Sequence, residues 1–231
     1  DNVSPYSSSI NSKNYLFTDM SKLATPEYAN LLDIKDIDAE TSKAYEKSDM
    51  TDFQRAFDSY DRLFEKAYDN LKSRTDEKTL KLNEEYNNFK LTSGDWIETD
   101  ALYDFLQMRY NTADFEKWPD LAKNLIKYKN DPTSPKHQEA VALVQELHES
   151  NPKEIGLYKF KQFIVDKQEK EFIKEHPEKL NYISDAIIGF SMKDYWANQD
   201  AFLKDYRVGC PGGGEGFEGQ IANQTWDIPV I

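Results

Sequence analysis

Asp185 is a lone carboxylate set into the apolar run Tyr182-Ile-Ser-Asp-Ala-Ile-Ile-Gly-Phe190. A short apolar run with one acid in it is the pattern of a buried strand that delivers a side chain to a site at its end. A core strand whose aspartate caps the following turn has the same pattern, and both readings stand at this level. Downstream, six of the nine glycines fall between Gly209 and Gly219, and Asn223-Gln-Thr-Trp-Asp-Ile-Pro229 follows them. Glycine lets backbone move and approach a ligand closely, so this segment reads as a flexible active-site loop. Gly214-x-Gly216-x-x-Gly219 is a formal match to the dinucleotide fingerprint. That reading needs a helix to open after the last glycine, and Gln220-Ile-Ala-Asn-Gln-Thr-Trp226 is a poor helix opening.

The remaining reactive residue types offer little. Cys210 is the one cysteine, so no internal disulfide forms, and no acidic cluster surrounds it. His137, His148 and His176 are scattered without metal-ligand spacing and are expected to be structural. No metal and no cofactor is expected.

A mostly helical chain must position these residues. Residues 1–50 are loop-rich, with the turn-prone run Ser4-Pro5-Tyr6 and a short aromatic stretch, Asn14 to Asp19, read as strand or extended chain. From residue 51 to 150 the spacing predicts helices. Thr51 with Gln54 has the form of a capping box, and Phe53, Phe57, Tyr60, Phe64, Ala67 and Leu71 then form one apolar stripe. Leu82, Tyr86 and Phe89 repeat the pattern after a break, which predicts an antiparallel helical hairpin whose aromatics are core. A further apolar helix runs from about Trp96 to Met108, and an amphipathic one from about Lys136 to Ser150. Residues 151–231 open with a helix from about Lys153 to His176 that leads into the Tyr182 run, the helix-to-strand step of a repeating α/β fold.

The chain has 231 residues, a formal charge of −13 and a pI near 4.8. With no basic face it is not expected to bind nucleic acid. No window approaches the roughly 18 uninterrupted apolar residues of a membrane span, so a soluble protein without a membrane partner is expected. The lone cysteine fits a reducing compartment, and a cytoplasmic location is expected. The chain opens at Asp1 without methionine and stops inside a β-like run, so it reads as a piece of something longer.

Several motifs in order carry a resemblance. Ser4-Pro5-Tyr6-Ser is followed by Asn14-x-Leu-Phe-x-Asp19, then Trp96 with Asp100-Ala-Leu, then Trp118-Pro119, then Tyr158-Lys-Phe160-x-Gln162-Phe163 with Gln168. Ser184-Asp185, Lys193-Asp-Tyr-Trp-Ala-Asn198 with Phe202, Gly209-Cys-Pro211 and Asn223-Gln-Thr-Trp226-Asp-Ile-Pro229 complete the series. The chain resembles the 4-α-glucanotransferases of the amylomaltase, or disproportionating-enzyme, family (glycoside hydrolase 77-like) over nearly its whole length. It departs from the family pattern at Ser184, where glycine is usual, at Ile187, where proline is usual, and in the longer glycine-rich loop after Pro211. These departures put the loop's shape and its acceptor preference in question.

The resemblance implies a mainly α chain with some β, part of a (β/α)8 TIM barrel that carries large helical insertions. It implies transfer of α-1,4-glucan segments between maltooligosaccharides by a retaining double displacement, with maltooligosaccharide or α-glucan as substrate. The catalytic carboxylates of the family come after later strands, so no catalytic residue lies in this chain, which alone is expected to be inactive and to need the remainder of the barrel as its partner. It further implies that Asp185 hydrogen-bonds the reacting sugar, that Ser4 and Tyr6 line the same pocket, and that Gln224 and Trp226 belong to a mobile loop over the glucan. A non-catalytic helical module that binds carbohydrate or protein is the alternative.

Overall fold

The computed structural model describes residues 8–42, 53–176, 190–210 and 224–229. Nine α-helices form among these residues: α1 Ile34–Thr41, α2 Phe53–Ser73, α3 Glu77–Thr92, α4 Asp95–Tyr110, α5 Asp120–Lys123, α6 Leu125–Asn130, α7 His137–Ser150, α8 Pro152–Glu175 and α9 Met192–Ala197. Strands β1, Phe202–Cys210, and β2, Gln224–Pro229, pair antiparallel. The described chain is thus mainly helical.

Helix ends follow from local chemistry. The Asp33 carboxylate accepts from the Lys35 amide at 2.9 Å, and Asp36 reaches back to accept from the Asp33 amide at 3.0 Å, closing a capping box on α1. Asp76 caps α3 by accepting from the Thr79 amide and hydroxyl at 3.1 and 2.7 Å. Gly94, at φ +75°, supplies the left-handed residue that stops α3 and lets α4 start one residue later. Asn111, at φ 53°, serves in the same way after α4.

The chain divides into two compact units. One comprises residues 1–7, 13–97 and 156–180; the other comprises 8–12, 98–155 and 181–231. In the first, α2 and α3 form the expected hairpin. Tyr68 meets Tyr86 edge to face at 6.3 Å, and Lys72 bonds Asn83 at 2.9 Å, so the contacts run in opposite chain order. Phe64, Tyr68, Tyr86, Phe160 and Phe163 form one aromatic core, surrounded by Leu23, Leu31, Leu32, Leu63 and Leu71. Truncating a ring as buried as Phe160 costs about 3–5 kcal/mol.

In the second unit, Tyr103, Trp118 and Trp196 pack pairwise with centroids 5.2 to 5.9 Å apart. Phe115, Tyr195, Phe202 and Phe190 extend the cluster. Every polar tip of the central trio is satisfied by a backbone carbonyl: Tyr103 donates to Ala113, Trp118 to Thr112 and Trp196 to Ala122. These aromatics are core.

Some local expectations change. Asn14 to Asp19 is not a strand; it holds a short 3-10 turn over Tyr15–Phe17, because the Asn14 side chain accepts from the Leu16 amide at 3.0 Å and caps it. Gln54 bonds forward to Asp58 at 2.8 Å, and its expected capping partner, Thr51, lies outside the described residues. Gly209 and Cys210, read as part of a glycine loop, are the last residues of β1. Residues 182–189 of the apolar run also lie outside the described residues.

Candidate functional site

Ser4, Tyr6 and Asp185 lie outside the described residues. Gln224 and Trp226 stand two residues apart on β2, in register with Cys210 and Val208 of β1. The backbone of the ribbon is set by the ladder Arg207↔Asp227, Val208↔Trp226, Gly209↔Thr225 and Cys210↔Gln224. The regular register is interrupted between Phe202, which faces Pro229, and Arg207. A bulge or irregularity of this kind bends a ribbon and re-aims what it carries.

Around the segment that follows Ser4 and Tyr6, the structure reveals a set of holding residues. In the second unit, the Ser9 hydroxyl donates to Asp100, and the Ile10 amide donates to Asp194 at 3.1 Å. Asp194 uses its second oxygen to accept from the Ser191 hydroxyl at 2.7 Å and the Ser191 amide at 3.1 Å, closing the capping box that starts α9. Residues 9 to 12 close on themselves: the Ser12 amide donates to the Ser9 carbonyl at 3.1 Å, and the Ser9 amide to the Ser12 hydroxyl at 2.8 Å.

In the first unit, two glutamines of α8 each grip the backbone of one residue. The Gln162 amide accepts from the Lys13 N–H at 2.8 Å and donates to the Lys13 carbonyl at 2.9 Å. Gln168 makes the same pair of bonds with Asp19, at 2.8 and 3.0 Å. Each primary amide stands in for a neighbouring strand, satisfying the N–H and the C=O of one residue together. Ion pairs add to the hold: Lys13 bonds Asp166 at 2.8 Å and also meets Glu169. Burial alone pushes the Asp166 carboxyl up, but its bonds to Lys13 and Lys170 outweigh this and hold it below the usual carboxylate range.

Asp100, Gln162, Gln168 and Asp194 are all buried, at 3 to 8 % exposed. Each belongs to a motif that the sequence singles out, yet no role could be read for them there. The available signal was chemical, since a glutamine or aspartate on an otherwise apolar helix face needs a partner when buried. The partner itself lies far along the chain.

Other groups capable of chemistry have local partners. His148 pairs with Glu98, His137 Nδ1 lies 3.2 Å from the Tyr128 carbonyl, and His176 meets Phe172 edge to face with centroids 4.8 Å apart. No group of three or more His, Cys, Asp or Glu side chains among the described residues could hold a metal ion. The first unit carries grooves of about 310 and 320 Å³. The larger lies along α3 and α8 over Phe89 and Phe163, and its charged walls pair with each other, Lys167 with Glu85 and Lys170 with Asp166. No helix among the described residues is long and apolar enough to cross a membrane.

The described arrangement is therefore one of support: buried polar side chains that fix backbone, and aromatics locked in cores. A family model described as 4-alpha-glucanotransferase matches residues 1–231. No curated protein matches the chain.

Proposed function

The chain belongs to the 4-alpha-glucanotransferase family, and on that premise we propose that it carries part of an α-glucan site in a protein that transfers α-1,4-glucan segments between maltooligosaccharides. The observation that carries this reading is the family match over every residue of the chain.

The proposed reaction is a retaining double displacement. It needs a carboxylate nucleophile and a carboxylic acid roughly 5 to 5.5 Å apart. The acid protonates the glycosidic oxygen as the bond to C1 breaks, and the nucleophile bonds C1. The 4-hydroxyl of an acceptor sugar then displaces the nucleophile and returns its own proton to the former acid. We assign both carboxylates to segments outside residues 1–231 and assign this chain alone no turnover.

Within the chain, Asp185 hydrogen-bonds hydroxyls of the reacting sugar, and Ser4 and Tyr6 line the same pocket. Trp226 offers an indole face to a pyranose ring, and the Gln224 amide bonds sugar hydroxyls. A loop that excludes water around the glycosyl-enzyme favours an acceptor sugar over hydrolysis. The scaffold of this reading is a (β/α)8 barrel completed by the rest of the protein, with residues 51–150 as helical insertions beside the site. Its location is the cytoplasm, in keeping with a single cysteine.

The test uses the intact protein with maltotriose and maltoheptaose. Asp185→Asn is expected to lower kcat/KM on both substrates about 100-fold, as loss of a charged hydrogen bond at the reacting sugar does. Trp226→Ala is expected to raise KM for maltoheptaose about tenfold. Unchanged kinetics in both variants would overturn the reading.

A further inference from the structure

Strand β1 is fixed at its start and bare further along. Phe202, its first residue, is buried and packs against Tyr195 and Phe190 with centroids 5.1 and 5.4 Å apart, so the ribbon is rooted in the aromatic core of the second unit. Further along the strand, Tyr206 is 68 % exposed and makes no hydrogen bond or ring contact among the described residues. An exposed tyrosine by itself means little. Its address on the ribbon is what counts.

Tyr206 is the last residue before the regular ladder, in which Arg207 faces Asp227 and Val208 faces Trp226. The irregular stretch of β1 ends on it, and irregularities of this kind re-aim side chains and recur beside active sites. Positions 206 and 208 are two apart, the spacing that shares a face of a strand. Position 206 is therefore the diagonal neighbour of position 226 across the ribbon. Such neighbours stand about 7–8 Å apart, within reach of one ligand lying along the face.

From this register, and resting on the reading of Trp226 as a glucan contact, we propose that Tyr206 is a specificity residue for glucan length. It gives the ribbon a second aromatic platform, further along the glucan chain than the one at Trp226. Its ring stacks on a pyranose and its hydroxyl bonds sugar hydroxyls. A long glucan engages both platforms, whereas a short one gains nothing from the second. Tyr206 takes no part in making or breaking bonds.

The test compares KM and kcat for maltotriose and maltoheptaose, with the thermal midpoint, in the intact protein and its variants. Tyr206→Ala is expected to raise KM for maltoheptaose about fivefold, the loss of one aromatic contact. KM for maltotriose, kcat on both sugars and the midpoint are expected to stay nearly unchanged. Tyr206→Phe keeps the ring and is expected to keep KM. Tyr206→Leu, apolar without an aromatic face, is expected to behave as Tyr206→Ala does, and it decides in its place should the alanine variant fail to fold.

A normal KM for maltoheptaose in Tyr206→Ala while Trp226→Ala is impaired would overturn the proposal and leave the reading of Trp226 standing. An equal rise in KM for both sugars would also overturn it, because a residue that only supports the ribbon gives that result. A normal KM for maltoheptaose in Trp226→Ala would instead sink the reading of Trp226 as a glucan contact, and the role of Tyr206 with it.

Discussion

At Gly156 the missing side chain is itself a packing requirement. A Cβ there would overlap the Tyr68 hydroxyl and stand 2.9 Å from its Cζ, while the Gly156 carbonyl accepts from the Tyr86 hydroxyl at 2.9 Å. Alanine normally improves a helix interior by up to about 1 kcal/mol. Here the forced shift of a core tyrosine outweighs that gain, and Gly156→Ala is expected to destabilise by about 1–3 kcal/mol. A urea midpoint equal to or above that of the unchanged protein would contradict the packing argument. The sequence marks Gly156 only as a glycine inside a helical pattern, because Tyr68 lies on another helix far back in the chain. The same holds for Gln162, Gln168, Asp100 and Asp194. As residues in motifs they were legible, but as holders of Lys13, Asp19, Ser9 and Ile10 they were not, since each bond closes a long loop that no local pattern records. Asp185 stands out in the sequence as a lone carboxylate in an apolar run, Ser4, Tyr6, Gln224 and Trp226 stand out only through family likeness, and the roles of all five stay with the proposed function.

Helix α8 shows what an element adds to its residues. Gln162 and Gln168, six apart, hold Lys13 and Asp19, also six apart, and Asp166 between them pairs with Lys13 and Lys170. Because the folded state holds the Asp166 carboxyl below its usual range, its stabilisation is fully present above the unfolded value of about 4 and is lost as pH falls through the folded value. Stability of the unchanged protein is therefore expected to drop as pH falls below about 5, with Asp166→Asn giving a flatter acid profile. Parallel profiles in denaturant melts would show that the ion pairs of Asp166 contribute nothing. Helices such as α2, α3, α7 and α8 were readable because a 3.6-residue apolar repeat is internal to each of them. The β1–β2 ribbon was not, since Phe202-Leu-Lys-Asp-Tyr-Arg-Val208 has no clean alternation and its pairing depends on a partner beyond a long glycine-rich connection. Asn14 to Asp19 was misread for a related reason: its aromatics suggest a strand, but capping by Asn14 and Asp19 turns the chain tightly.

Each of the two compact units has an aromatic core, and in each of them buried polar side chains hold a stretch of backbone, Gln162 and Gln168 in the first and Asp100 and Asp194 in the second. The central claim is that the protein moves α-1,4-glucan segments from sugar to sugar without releasing them to water. Transfer conserves the number of reducing ends, since each glycosidic bond broken is replaced by one formed, whereas hydrolysis adds a reducing end for every bond cut. Following the products of the intact protein on maltotriose, together with total reducing ends, tests this most directly. The account predicts glucose and longer maltooligosaccharides appearing together at a constant number of reducing ends. Glucose rising in step with reducing ends, or no conversion of maltotriose at all, would contradict it.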